Sequence, residues 1–187
     1  QSVNFDTSKV ISMLSMFYSA EKFNQPLNFD TSNVTDMSYM FRNTKSFNQA
    51  LNFNTSNVKK MERIFAYSDN FNQPLNNWDV SKVTNMAGMF ESSIFNQDLN
   101  NWNTSNVTDM SYMFSYATRF NQPLNFDTSK VTNMMSMFCN AYNFNQNISS
   151  WNFDNIINCD YMFDNAKAFL DKYNNNSDPL PNHRDKI

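Results

Sequence analysis

FNQPLNFDTSNVTDMSYMFRNTKS, residues 23–46, carries two periodicities in one short stretch, and the change between them decides how the chain is read. In its first half Phe23, Gln25, Leu27 and Phe29 alternate with period two, as one face of a strand does. In its second half Val34, Met37, Met40 and Phe41 follow i, i+3, i+6, i+7, which predicts the inward face of a helix of about two turns. Between the halves, Asp30-Thr31-Ser32 supplies side-chain oxygens suited to capping free N–H groups at a helix start, and residues 127–129 repeat the device. The stretch reads as strand, turn, short helix and return.

The same stretch recurs along the chain. Phe-Asn-Gln begins at Phe23, Phe47, Phe71, Phe95, Phe120 and Phe144, in steps of 24, 24, 24, 25 and 24 residues. A second series, Val10, Val34, Val58, Val83, Val107, Val131 and Ile156, is followed seven residues later in each case by Phe17, Phe41, Phe65, Phe90, Phe114, Phe138 and Phe163. Seven copies are marked, the first entered midway at Gln1, so a longer parent chain is expected. After each terminal Phe comes a short return with a small residue in it: Ala20, Thr44, Ser68, Ser93, Ala117, Ala141 or Ala166. Where Trp replaces Phe, Leu75 to Val83 and Leu99 to Val107 span eight residues instead of the seven between Leu27 and Val34, so turns absorb length while the apolar series stay in register.

A unit of 24 residues cannot bury its own apolar face, but stacked units align each series into one continuous core. The expected fold is a solenoid of about seven coils over residues 1–170, with parallel strands near each Leu and helical turns near each Met-Phe. An all-β solenoid is the alternative. Pro26, Pro74 and Pro123 remove ladder donors, so each strand is expected to begin after them. The polar stretch 171–187 reads as a C-terminal cap or tail.

Composition fits this reading and narrows the function. With 41% hydrophobic and 16% aromatic residues, drawn largely from 19 Phe and 13 Met, 187 residues suffice for one ordered, soluble domain. Gly88 is the sole glycine, so positive-φ turn positions are expected to fall on Asn, Asp or Ser. A net charge of −3 without a basic stripe argues against a nucleic-acid partner, and no apolar run approaches the roughly 18 residues of a membrane span. Cys139 and Cys159 read as ordinary thiols.

The unit of residues 71–90, FNQPLNNWDVSKVTNMAGMF, resembles the BspA-like repeats of bacterial surface proteins and mycoplasma lipoproteins. FNQ, a Trp-Asp or Phe-Asp pair, S-x-V-T-x-M and a terminal Met-Phe occur in that order in several copies, and Ile148-Ser149-Ser150-Trp151 is in the same style. The likeness runs to about residue 170 and implies kinship with leucine-rich repeats, a right-handed α/β repeat solenoid with a parallel sheet and short helical turns, and a place on cell surfaces, often as an adhesin. The near absence of Gly after Met-Phe departs from that family.

No catalytic constellation is legible. The sole histidine, His183, stands outside the repeats, there is no glycine-rich phosphate loop, and Asp6, Asp30, Asp79 and Asp127 occupy one repeated turn position. No enzyme activity, cofactor or metal site is expected; the Asp and Asn residues lack the glycine-rich calcium nonapeptide and are expected to bond neighbouring backbone. Thr31, Thr55, Thr104 and Thr128 form a broken row at the expected helix start, better suited to capping than to an ice-binding face.

Recognition is expected where the copies disagree. The position five after each Val lies opposite the apolar stripe on a helical wheel and holds Ser15, Tyr39, Arg63, Gly88, Tyr112, Ser136 and Tyr161. Tyr39, Arg63, Tyr112 and Tyr161 are the candidate binding residues, because tyrosine gives large contact area at low entropic cost. The return segments 42–46, 66–70, 91–94 and 115–119 form a second variable set, and Asn28, Asn52, Asn76, Asn100 and Asn125 a polar row on the sheet side. The expected function is an extracellular, cell-surface interaction module that binds a protein or glycan on another surface. The alternative is a self-associating structural component of an envelope, filament or viral shell.

Overall fold

The computed structural model describes residues 3 and 5–173. Each repeat lies directly on the next. Parallel bridges join Ser12 to Asp36, Asp36 to Lys60, and onward through Asn85, Asp109 and Asn133 to Asn158, each residue standing two places beyond the Val or Ile of its copy. Side chains one repeat apart are therefore neighbours. The rings of Phe17, Phe41, Phe65, Phe90, Phe114, Phe138 and Phe163 form a column with successive centroids 5.5–5.9 Å apart. The Phe-Asn-Gln phenylalanines form a second column pressed against it, with Phe65 and Phe71 3.9 Å apart and Phe138 and Phe144 also 3.9 Å apart. From Phe41 to Phe144 both columns are closed to solvent, and each ring so buried contributes about 1.5–3 kcal/mol.

The Met-Phe segments are not helices, a correction to the expected architecture. Every repeat has two residues at positive φ, five and nine places after its Val, among them Tyr39 (+59°) with Asn43 (+59°) and Tyr112 (+57°) with Tyr116 (+56°). A right-handed helix cannot pass through such residues. The backbone instead divides its donors. In repeat 2 the N–H groups of Met37, Tyr39, Phe41 and Asn43 donate to the carbonyls of Lys60, Glu62, Ile64 and Ala66 in repeat 3, at 2.8–3.0 Å. The N–H groups of Met40, Arg42 and Thr44 close local turns onto Met37, Tyr39 and Phe41 at 3.1–3.2 Å. The first is a type II turn, whose third residue, Tyr39, requires positive φ. Turns closing over three residues share the helix's i, i+3 spacing, which is why Val34, Met37, Met40 and Phe41 are all buried without one.

The positive-φ positions meet the expected residue types in part: Ser and Asn hold seven of them, while Tyr and Arg, which the sequence did not point to, hold six. Tyr, Arg, Ser and Asn occupy them alongside the one glycine, so bulky side chains sit in a left-handed conformation that costs about 1 kcal/mol each. The inter-repeat bonds made by the same residues offset that cost.

Strand pairing at the Leu positions is largely absent. Only Val3 and Leu27 bridge there among the described residues. Proline at positions 26, 74 and 123 offers no donor, and asparagine side chains take over the stacking. Asn48 N–H donates to Asn24 Oδ1, Asn72 to Asn48, Asn96 to Asn72, Asn121 to Asn96 and Asn145 to Asn121, at 2.8–3.0 Å. In the Trp copies the indole N–H of Trp78, Trp102 and Trp151 donates to the carbonyl of Leu51, Leu75 and Leu124 in the preceding repeat. Their extra residue is absorbed by a tight turn in which Trp78, Trp102 and Trp151 N–H bond Leu75, Leu99 and Ile148 carbonyls.

Asp30 and Thr31 serve the turn, not a helix start. Asp30 Oδ1 accepts the Ser32 N–H at 2.9 Å, and Asp79 and Asp127 do the same for Ser81 and Ser129. The buried threonines donate their hydroxyls to the next repeat, Thr31 to Asn54 O at 3.0 Å and Thr104 to Asp127 O at 3.0 Å, so their row is a stacking device.

The C-terminal end is covered by α1, Lys167–Tyr173, the only helix among the described residues. Phe169 extends the second phenylalanine column at 5.9 Å from Phe144, while Lys172 Nζ and Tyr173 OH donate to Asn145 O. The helix straddles the boundary expected at residue 170; the rest of the expected tail, 174–187 with His183, lies outside the described residues.

Candidate functional site

The column five places after each Val faces outward, though through turns and not through a helical wheel. Its residues are the third members of the repeated type II turns, at φ between +48° and +60°. Tyr39, Arg63 and Tyr112 are half-buried because they lean on one another and on the neighbouring returns. Tyr161, in the last repeat, is 66% exposed.

Arg63 organises the centre of this face. Its Nη1 donates to Glu62 Oε1 and its Nε to Glu91 Oε2, each at 3.0 Å. Glu62 also accepts the hydroxyl of Tyr39, and Glu91 Oε1 accepts that of Tyr67 at 2.9 Å. The guanidinium carbon then lies 5.9 Å from the ring centre of Tyr112, two repeats onward. Gly88 makes that reach feasible. A β-carbon there would come within 2.7 Å of Arg63 Cγ, so any larger residue at position 88 would push the arginine off the repeat it crosses.

A second arginine sits one step away. The Arg42 guanidinium carbon is 5.4, 6.0 and 5.3 Å from the ring centres of Tyr18, Tyr39 and Tyr67, and its Nη1 donates to Tyr18 OH at 3.0 Å. Its buried Nε has no hydrogen-bond partner. The result is a continuous surface of tyrosine rings held by two arginines and two glutamates. Burial first, and the Glu62 carboxylate second, push the Tyr39 hydroxyl above the ordinary tyrosine range; burial and Glu91 do the same to Tyr67. Burial opposes the Arg63 charge, but Glu91 and then Tyr39 outweigh it and raise its pKa. These shifts keep the Tyr39 and Tyr67 hydroxyls protonated and Arg63 charged at neutral pH.

Of the four residues singled out from the sequence, Tyr39, Arg63 and Tyr112 come together in this network. Tyr161 does not: Ser136 stands between it and Tyr112, and nothing among the described residues links it to the cluster. The return segments contribute Arg42, Tyr67 and Glu91, so over repeats 2 to 4 the two variable sets meet in one surface, which return 115–119 does not join. Sequence reasoning passed over Tyr18 and Glu62. Aligning charges between adjacent copies would have found Glu62, since it is stacked beside Tyr39 and precedes Arg63. The Asn28, Asn52, Asn76, Asn100 and Asn125 row is mostly exposed, with Asn125 N–H donating to Asn100 Oδ1 at 3.0 Å.

A stack of 24-residue repeats carrying a rigid polar-aromatic face defines a repeat protein of the Asn- and Phe-rich kind. The family model described as "Mycoplasma protein of unknown function, DUF285" matches residues 1–94, 51–125 and 74–177, and the chain belongs to that family. No curated protein and no solved structure matches it.

Proposed function

We propose that the chain is a right-handed solenoid of the BspA-like surface type and acts as an adhesin-like module outside the cell, binding a protein or glycan on another surface without catalysing a reaction. The absence of helix from the described repeats favours an all-β form of the solenoid over one with helical turns. The observation that carries the function is the tyrosine–arginine surface of Tyr39, Arg63 and Tyr112, widened by Tyr18, Arg42 and Tyr67. Large rings already held by hydrogen bonds and arginine contacts lose little further entropy on contact, so their area is available for affinity. Tyr161 offers a separate contact point near the far end of the stack.

The test is a screen of the isolated chain against host-surface proteins and a glycan array, repeated with Tyr39→Ala, Arg63→Ala, Tyr112→Ala and Tyr161→Ala. Specific binding weakened at least tenfold by the first three, with the fold intact by thermal unfolding, supports the reading. A ligand indifferent to all four substitutions, or ordered self-assembly with no ligand, overturns it.

A further inference from the structure

The two arginines of the tyrosine surface are not equivalent in charge. Arg63 is bracketed by Glu62 and Glu91, each at 3.0 Å, so both carboxylates of the face are spent on one cation. Arg42 has no carboxylate at ion-pair distance among the described residues, although it lies in repeat 2 with a described repeat on either side. Glu21, in the preceding return, is held by Lys45 at 2.9 Å. Among the described residues the Arg42 side chain makes a single hydrogen bond, from Nη1 to Tyr18 OH at 3.0 Å, and its buried Nε makes none.

A guanidinium is a fork of N–H donors with no acceptor of its own, and half-burying it without an anion leaves its charge uncompensated. The rings of Tyr18, Tyr39 and Tyr67 stand 5.3–6.0 Å from the guanidinium carbon. They attract the cation and hold it in place, but a ring face supplies no acceptor oxygen. What the site lacks is an anion.

The same surroundings restrict which anion fits. Glu62 and Glu91 accept the hydroxyls of Tyr39 and Tyr67, two of the rings around Arg42. A polyanion laid along the stack would meet those carboxylates as well as the arginine, so a single compact charge is favoured. A sugar acid is disfavoured for a different reason. The hydroxyls of Tyr39 and Tyr67, both glutamates and Arg63 are already bonded to one another, and sugar hydroxyls brought among them would lose water for few free partners. A carboxylate on an apolar stretch of polypeptide needs one ion pair and ring contact, which this place offers.

We infer that Arg42 is the charge-recognition point of the surface and takes the carboxylate of an Asp or Glu that a partner protein presents between apolar residues. The carboxylate bonds the Nη end of the guanidinium, and the flanking apolar groups lie on Tyr18 and Tyr67, one repeat to either side. The inference rests on the proposed reading of this surface as a binding site and narrows its partner to a protein.

The experiment is a peptide array in which Asp or Glu is flanked by Phe, Leu or Tyr and each peptide is paired with its Asn or Gln counterpart. Hits are titrated against the chain and against Arg42→Met, which keeps an unbranched side chain between the rings and removes the fork. Acidic peptides are expected to bind at least tenfold more tightly than their amide counterparts, to lose that advantage in Arg42→Met, and to weaken as salt rises. Thermal unfolding checks the variant, and the acid–amide comparison on the unaltered chain stands whether or not the variant folds. An array with no acid-dependent hit overturns the inference. Tighter binding of heparin or of glucuronic acid than of any acidic peptide also overturns it, since the site would then belong to a polyanion or a sugar acid. So does a surface ligand that is lost with Tyr39→Ala, Arg63→Ala and Tyr112→Ala but kept by Arg42→Met, and that result leaves the binding function standing, so the two readings fail separately.

Discussion

Gly88 shows how much one side chain, or its absence, decides on a stacked surface. It stands at +60°, in a column where its counterparts are Tyr39, Arg63 and Tyr112, so backbone freedom alone does not demand glycine there. What demands it is Arg63, whose Cγ lies 2.7 Å from where a β-carbon would go. Gly88→Ala is expected to destabilise by about 1–2 kcal/mol from the left-handed conformation, and to detach Arg63 from Tyr112. Urea unfolding reads the first effect and the Tyr112 ring resonances the second; unchanged resonances would show that Arg63 does not depend on the gap. The turn aspartates act at the same scale. Hydrogen bonds from Ser8, Ser32, Ser81 and Ser129 hold Asp6, Asp30, Asp79 and Asp127 below the ordinary carboxylate range. A lowered folded pKa contributes stability that is present above the unfolded value of about 3.9 and lost as pH falls through the folded one. Thermal midpoints should therefore decline below about pH 4, and replacing the four aspartates by Asn, which keeps the acceptor oxygen but does not titrate, should flatten that decline.

At the scale of the element, the Met-Phe segment is where sequence and structure part. The register of the repeats was legible, because Phe-Asn-Gln and Val-to-Phe spacings follow directly from which residues must be buried. The backbone was not, because an i, i+3 apolar pattern is common to helices and to successive three-residue turns, and the distinguishing feature is a φ sign that Tyr39 and Arg63 do not advertise. The outward placement of Tyr39, Arg63 and Tyr112 emerged from a helical wheel only because both backbones direct that position away from the Met and Phe side chains. Tyr112 offers a decisive comparison. In a helix interior Gly is worse than Ala by roughly 0.5–1 kcal/mol, whereas at +57° the order reverses. Tyr112→Gly is accordingly expected to be about 1 kcal/mol more stable than Tyr112→Ala, measured by denaturant midpoint; the opposite order would restore the helix. The asparagine series is the other element the sequence half disclosed. Abundant Asn beside scarce Gly pointed to backbone bonding, yet only the structure shows Asn24, Asn48, Asn72, Asn96 and Asn121 replacing a strand ladder that Pro26, Pro74 and Pro123 interrupt.

Over the whole molecule, stability is close to a sum over neighbours, since the backbone of each repeat bonds only to the one before and the one after, and the Arg63–Tyr112 contact is a side-chain exception that reaches two repeats. Phe90 and Phe17 test this directly because they occupy the same position in different surroundings. Phe90 lies between Phe65 at 5.9 Å and Phe114 at 5.6 Å, rests on Phe95 at 4.0 Å, and is closed to solvent. Phe17 has Phe41 on one side at 5.5 Å and Phe23 beside it at 4.4 Å, and it is only half-buried because no ring of its column precedes it. Phe90→Ala removes a ring from the middle of a column and leaves a cavity that stacked repeats on both sides cannot collapse into without breaking their backbone bonds. It should cost about 3–5 kcal/mol, the range for a large buried aromatic. Phe17→Ala opens no closed cavity and loses contact on one side only, so its cost should be about half as great. Chemical denaturation of the two variants separates the cases. Equal costs would mean that the first repeat is as tightly enclosed as the fourth, which conflicts with the exposure of Phe5, Ile11, Leu14 and Met16 beside Phe17. A small cost at both positions would remove the phenylalanine column from its place as the core.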